Sequence, residues 1–567
     1  MNSKQLTAFV VALSLAAPPV LAQQTNAQKE PSVPALVESV EVRVINVDVV
    51  VTDRKGKPVT GLKKDDFDIL ENGRPVKVTN FYEVKNANAA APSTVTTGPK
   101  TTGPAVGAED VESQQDLRRR IVFFIDNLSL HPFNRNRVFT SMKKFVAETM
   151  RPGDEAMIAT WNRSMKIRVP FTTDVTQIQQ SLDGIAGESA FGLSNISERR
   201  SVEGQIRDAQ SYSDALGAAR QYSQSVEHDL RQSVEALNGL MATLAGVQGK
   251  KILVLTSEGF PLQPGREMFY FIDDIARQKS NWGAAGSSLL ESMSFDSTPL
   301  IQSIARTANA NSITLYTLHA GGLVGAGTNS AENQQPLSYV AQEAGLTNST
   351  ESLRLMADLT GGVATVGTNN FSGAFDKIES DLSSYYSLGY RAGTERVDRQ
   401  RSVQVRMHNR NYIARSRKSF VEKSVDTEMS DRVIANLFYD QNSNDLKITV
   451  TTQQPLLTDD GLYKVPVEIH IPMESITLFP QGEVYAGGFT VFIAASDKNG
   501  DMSDVSRQEH QLRIPQSEIE KTKGKYYTYS AELLMNKGRN RISVGVVDEI
   551  SKTTGFEKQE VLAADLR

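Results

Sequence analysis

An α/β protein is what the sequence predicts, with a doubly wound, mainly parallel sheet, flanking β-domains and a C-terminal β-sandwich. Three observations carry this. Continuous apolar runs alternate with helix-spaced apolar positions over 117–395. Period-two patterning fills 38–85 and returns over 401–422. From 424 to 567 that period recurs between regular turn signals, with one short helical patch.

In chain order, Lys4, the apolar run Leu6–Leu15 and Val20-Leu21-Ala22 before Gln23-Gln24 read as a secretory signal peptide over 1–22. Spanning a bilayer takes about 20 apolar residues, and this run is shorter. The mature chain is expected to be extracytoplasmic, with no transmembrane segment. Val42, Val44, Val47, Val49 and Val51 make a strand, and Asn72-Gly73 marks a hairpin between Phe67–Leu70 and Val76–Val78. The unit 38–85 is too small to bury a core alone, so it is expected to pair with the β segment within 396–423, the α/β domain lying between them. Residues 86–116 are rich in Ala, Thr, Pro and Gly and read as a disordered linker.

Ile121–Ile125 is a strand apolar on both faces. Val138, Met142, Phe145, Val146 and Met150 follow at helical spacing and stop at Pro152-Gly153. Further strands are read at Ala156–Ala159, Ile252–Leu255, Ile313–Tyr316 and Val363–Val366, with helices over 226–245, 299–308 and 371–382. Tyr385–Tyr390 is read as closing this domain. Insertions near 186–222 and 260–297 are polar and Ser/Gly-rich. The C-terminal strands include Val465–Ile469, Phe489–Ala494 and Ile542–Val547.

Composition excludes whole classes of chemistry. Sixty-one Lys and Arg against 66 Asp and Glu give −5, which offers no basic face for nucleic acid. With no cysteine there is no disulfide, thiolate zinc site, cysteine nucleophile or iron–sulfur cluster. The six histidines never fall three or four apart, so no zinc helix motif exists. No Gly-x-Ser-x-Gly follows a strand. The run Gly321–Gly327 has the wrong glycine spacing for a dinucleotide loop and reads as a mobile loop. Asp497, Asn499 and Asp501 open like a calcium loop, but Met502 stands where that loop needs Gly.

The strand Val122–Ile125 running into Asp126-Asn127-Leu128-Ser129-Leu130 resembles the opening of a von Willebrand factor type A domain, whose first strand enters an Asp-x-Ser-x-Ser loop. Arg151-Pro152-Gly153-Asp154, Phe171-Thr172-Thr173-Asp174 and Leu255-Thr256-Ser257-Glu258-Gly259 add to it. The Val-rich strand, Gly61-Leu62, Asp66-Phe67 and Tyr385–Arg391 are similar to VWFA-related secreted proteins of the acidobacterial type. The resemblance covers 38–423. It implies a site where the loop Asp, two Ser, a Thr and a second Asp hold one Mg²⁺ or Mn²⁺ that bridges to a partner carboxylate. Here Asp126 is in place, but Leu128 and Leu130 occupy the two Ser positions and supply no lone pair. Ser129 falls between them and is expected to point away. Ser257 or Glu258 replaces the second Asp. A rebuilt metal site would have to draw on Asp126, Ser129 and Glu258; otherwise Asp126 caps the following turn.

The expectation is therefore a non-enzymatic, extracytoplasmic adhesion- or scaffold-type protein with a degenerate metal site. It would need no cofactor and would bind a protein partner; its oligomeric state is left open. The alternative is an extracytoplasmic hydrolase or other enzyme using the strand-end cleft near Asp126, Thr256, Glu258 and His319.

Overall fold

The computed structural model describes residues 44–85, 118–279, 282, 288–323, 338–391, 397–440 and 443–564. The signal-peptide segment 1–22, the linker 86–116 and positions 324–327 of the glycine-rich run lie outside the described residues. The chain divides into two compact units, Val44–Lys423 and one that holds Ser424–Arg567. Among the described residues no helix is long and apolar enough to cross a membrane.

The first unit opens with β1 (Val44–Asp53), β2 (Phe67–Glu71), β3 (Arg74–Val76) and β4 (Val78–Lys85). Asn72 and Gly73, at φ 48° and 77°, turn β2 into β3. Strand and helix then alternate through β5 (Arg119–Asp126), α1 (Pro132–Thr149), β6 (Glu155–Trp161), β7 (Met165–Thr172), α2 (Val175–Ala186), α3 (Gly192–Asp208) and α4 (Tyr212–Thr243). Next come β8 (Lys250–Ser257), α5 (Arg266–Ala276), α6 (Ser288–Ser292), α7 (Thr298–Ala310), β9 (Ile313–His319), α8 (Tyr339–Thr360), β10 (Ala364–Thr365) and α9 (Phe371–Ser383). The unit ends with β11 (Ser384–Arg391), β12 (Gln400–Met407), β13 (Tyr412–Arg415) and β14 (Ser419–Val421).

The α/β sheet has the order β10-β9-β8-β5-β6-β7, parallel except for the edge strand β7. Its centre is apolar on both faces, so helices must cover both. On one face Ile121, Phe123, Ile125, Ile252 and Val254 pack under Val138, Met142 and Phe145 of α1 and Phe375 and Ile378 of α9.

Two features differ from the sequence reading. The insertions are helical: α3, the first half of α4, α5 and the start of α8 share a core of Val202, Ile206, Ala215, Ala219, Met268, Phe269, Ile272, Trp282 and Ala341. Its apolar residues, at helical spacing, stand among Ser, Gly and charged neighbours that mask them in the sequence. Secondly, β11 leaves the α/β domain. It runs antiparallel between β1 and β4, so the α/β domain ends with α9. The reason is its parity: Tyr386, Leu388 and Tyr390 face a β-domain core with Val47, Val49, Phe67 and Ile69. That domain is two sheets, β13-β1-β11-β4 and β14-β12-β2-β3, with β12 antiparallel to β2 and β13 to β1.

The second unit holds α10 (Val425–Phe438), β15 (Thr449–Thr452), β16 (Leu456–Leu457), β17 (Tyr463–Pro472), β18 (Phe479–Gln481) and β19 (Val484–Ser496). It ends with β20 (Ser506–Pro515), β21 (Tyr526–Met535), β22 (Gly538–Asp548) and β23 (Thr554–Ala563). One sheet joins β15, β16 and β21 to β17; the other runs β18-β19-β22-β23 with β20 on β19. Inward Val465, Val467, Ile469, Val491, Ile493, Val544 and Val546 fill the core. Helix α10 covers Phe492, Val547 and Phe556 with Met429, Val433 and Leu437.

Candidate functional site

In an open parallel sheet, function gathers where the strands end and the loops diverge. Here β5, β8 and β9 end at Asp126, Ser257 and His319. Ile125 lies opposite Thr256 and Ser257 opposite His319, so Asp126, Ser257 and His319 share one face and Thr256 takes the other. The structure thus brings Asp126 and Ser257 together and separates Thr256 from them.

Asp126 is 2 % exposed. Its Oδ2 accepts from the Ser129 hydroxyl at 2.7 Å and the Ser257 hydroxyl at 2.8 Å, and the two hydroxyl oxygens are 2.9 Å apart. Ser129 therefore points at Asp126, not away from it. The cause is local: residues 127–130 form a tight turn in which the Ser129 and Leu130 amides both donate to the Asp126 carbonyl. That places position i+3 over position i. Leu128 and Leu130 are buried instead, Leu130 in the core with Val138 and Phe139.

The cluster continues through backbone amides. Glu258 N–H donates to Ser129 Oγ at 3.1 Å and Gly259 N–H to Ser257 Oγ at 3.0 Å. Gly259, at φ 103°, passes so close to α8 that a Cβ would lie 2.6 Å from the Ser349 carbonyl. The Glu258 carboxylate turns toward the start of α1, where Oε1 accepts from His131 N–H at 2.8 Å and Asn134 Nδ2 at 2.9 Å. An anion there complements the helix N-terminus.

Burial pushes the Asp126 carboxyl above its ordinary range, and the bonds from Ser129, Ser257 and the Leu128 amide only partly oppose it. Burial also lowers His319 to about 4, against an opposing bond to the Glu258 backbone. His319 is thus neutral at ordinary pH, and its Nδ1 is buried without a partner. Thr256 Oγ1 is buried without a partner on the far face.

The loops around the cluster are locked together. Asn195 Nδ2 of α3 donates to the Leu128 carbonyl at 2.8 Å, and Gly192 N–H to the Leu130 carbonyl at 3.1 Å. A Cβ on Gly192 would lie 2.5 Å from the Leu130 carbonyl carbon. The fully buried Arg135 reaches Asn127 Oδ1 at 3.1 Å and the Ala186 and Glu188 carbonyls at 3.0 and 2.9 Å. Sequence reasoning passed over Arg135, Asn134, Asn195 and the pairing role of Ser257. Only Ser257 left a signal, its strand parity with Leu253 and Leu255.

The oxygens of Asp126, Ser129 and Ser257, 2.7 to 2.9 Å apart, are spaced a little tighter than one face of an octahedral Mg²⁺ shell, whose edge is about 3.0 Å for bonds of about 2.1 Å. The donor set around it is thin for the ion. Asp126 brings the cluster's sole carboxylate, because Glu258 is committed to α1, and the side chains of Leu128 and Leu130 supply no oxygen.

Around this closed cluster, apolar side chains emerge where the parallel strands finish. Phe133, in the first turn of α1, is 68 % exposed, and Leu323 beyond β9 is 63 % exposed. Leu193, in the first turn of α3, is exposed as well.

No protein-family model matches the chain, and no curated protein matches it. Matching solved structures include the von Willebrand factor domain of the type V pili tip protein Mfa5 from Porphyromonas gingivalis, at 12 % identity and TM-score 0.25, covering 47 % of this chain and 95 % of that one. A von Willebrand factor type A protein from Catenulispora acidiphila matches at 7 % identity and TM-score 0.22, covering 79 % of this chain and 66 % of the other. An aerotolerance-related membrane protein from Bacteroides fragilis matches at 11 % and 0.21, over 47 % of this chain and 98 % of that one. Likenesses this distant carry no argument, and the α/β architecture rests on the strand order itself.

Proposed function

We propose that the chain is a non-enzymatic, extracytoplasmic binding protein that takes a protein partner at the strand-end rim of its α/β domain, without a bridging divalent cation. The observation that supports this is the local donor set: Asp126 is bonded by Ser129 and Ser257 of its own chain, while Leu128 and Leu130 turn inward and offer an ion no oxygen from their side chains. The exposed Phe133, Leu193 and Leu323 supply what a protein interface needs in its place, apolar anchors around a rigid floor. Hydrolysis at the same row is disfavoured by access, since Ser257 is fully buried and its hydroxyl already bonds Asp126. The extracytoplasmic setting rests on the signal-peptide pattern of residues 1–22.

The test is capture of partners from the native envelope extract by the purified chain, with and without EDTA. A partner retained in EDTA and lost with Phe133→Asp supports the reading. A partner released by EDTA, or one insensitive to every rim substitution, overturns it.

A further inference from the structure

In a β-sandwich every sheet has two edges, and exposed edges are usually blunted by charge, proline or shortness. In the C-terminal unit, β20 carries Arg507, Glu509, Arg513 and Pro515, and β23 carries Glu557, Lys558 and Glu560. The edge formed by β15 and β16 consists of a four-residue and a two-residue strand. The fourth edge, β21, is different. It is ten residues long, Tyr526 to Met535, with no Lys, Arg, Pro or Gly. Its sole charge, Glu532, pairs with Lys464 of the neighbouring β17 at 2.7 Å.

Among the described residues β21 is laddered to β17 alone. Alternate residues therefore direct their N–H and C=O away from the sheet. The core side of the strand is firmly seated, with the rings of Tyr527 and Tyr529 at 5.5 and 4.9 Å from that of His510. The solvent side presents Tyr526, 60 % exposed, with Thr528 and Ser530 beside it.

We infer that β21 pairs antiparallel with β21 of a second copy of this chain, about a two-fold axis at Ser530. Residues facing each other across an antiparallel pair share a face, so only registers that keep parity are allowed. With Ser530 opposite itself, Tyr526 meets Leu534 and Thr528 meets Glu532 on the solvent face. On the core face Tyr527 meets Leu533 and Tyr529 meets Ala531. Large side chains then oppose smaller ones, and no like charges face each other. Moving the axis to Ala531 leaves the exposed Tyr526 without a partner. Of the two registers that keep parity and pair nine of the ten residues, about Ser530 and about Ala531, only the first gives Tyr526 a partner, and a second copy, which carries the same matching edge, is the occupant.

The register makes a charge test possible, because Thr528 is exposed and faces Glu532 of the other copy twice per dimer. Sedimentation velocity of the purified chain over a concentration series should show a monomer–dimer equilibrium. Thr528→Lys should tighten it about fivefold and Thr528→Glu weaken it about fivefold or more. Adding Glu532→Lys to Thr528→Glu should restore dimerisation. Unchanged circular dichroism confirms that each variant is folded. Should a variant fail to fold, hydrogen exchange of the β21 amides in the parent, more protected at high concentration, carries the same test. A chain that is monomeric at every soluble concentration, or a dimer that neither Thr528 variant moves, overturns the inference.

Discussion

The two ends of the central strand β5 treat a buried carboxylate in opposite ways. At the N-terminal end Asp154 meets a full charge: Arg119 Nε donates to its Oδ1 at 2.7 Å, Arg119 Nη2 binds Oδ2, and the Arg151 amide adds a bond at 2.8 Å. Both side chains are buried, and the pair ties β5 to the turn before β6. At the C-terminal end Asp126 is as deeply buried, yet it meets hydroxyls and amides and no cation. A buried ion pair fastens structure, and breaking it strands a charge. A buried carboxylate held by neutral donors stores an electrostatic cost that a native fold rarely tolerates without use for it. The difference separates an end that holds the fold from an end that shapes a surface.

The sharpest way to break this comparison is at the first end. Asp154→Ala leaves the Arg119 guanidinium buried without its partner and should cost about 3–5 kcal/mol in urea unfolding. A loss under about 1 kcal/mol would erase the distinction. Next in size is the pH response beside Asp126. A histidine held near 4 in the fold and titrating near its ordinary 6.5 when unfolded binds more protons unfolded. Its contribution is complete above pH 6.5 and disappears as pH falls toward 4, about 3 kcal/mol in all. Stability measured at pH 7 and pH 4 should differ by about that much more in the parent than in His319→Gln.

A smaller effect is expected at Asp126 itself. Its folded pKa is raised, so stability is full below the unfolded carboxyl range and declines as pH rises through the folded value. Asn imitates the protonated form, so Asp126→Asn at pH 7 should stay within about 1 kcal/mol of the parent. A loss as large as that of Asp154→Ala would show that the charge is needed. Smallest of all is the response to ions. A ligand at 100 times its Kd stabilises by about 2.7 kcal/mol, so a working site would be obvious in a melt. Millimolar Mg²⁺ or Mn²⁺ against EDTA should leave the midpoint unchanged, and an upward shift that Asp126→Ala removes would show the site to be rebuilt.

What the sequence by itself determined is set by local periodicity. The apolar run Ile121–Ile125 has nowhere to lie but inside a sheet covered on both faces. The alternation of such runs with helix-spaced apolar positions fixes the α/β class. Leu128 and Leu130 could be removed from any ligand set without coordinates, because carbon cannot donate a lone pair. Tertiary structure alone decided three things. Ser129 joins Asp126 because the turn after β5 winds like a helix, and a turn's dihedrals are not written in strand parity. Strand β11 joins the β-domain because its Tyr and Leu side chains find that core more than 300 residues back along the chain, at Val47 and Val49. The insertions became a helical cap because two segments, each too polar to bury itself, supply complementary apolar stripes to one another. Periodicity reports which face of a segment wants to be dry, and only the assembled fold decides which surface dries it.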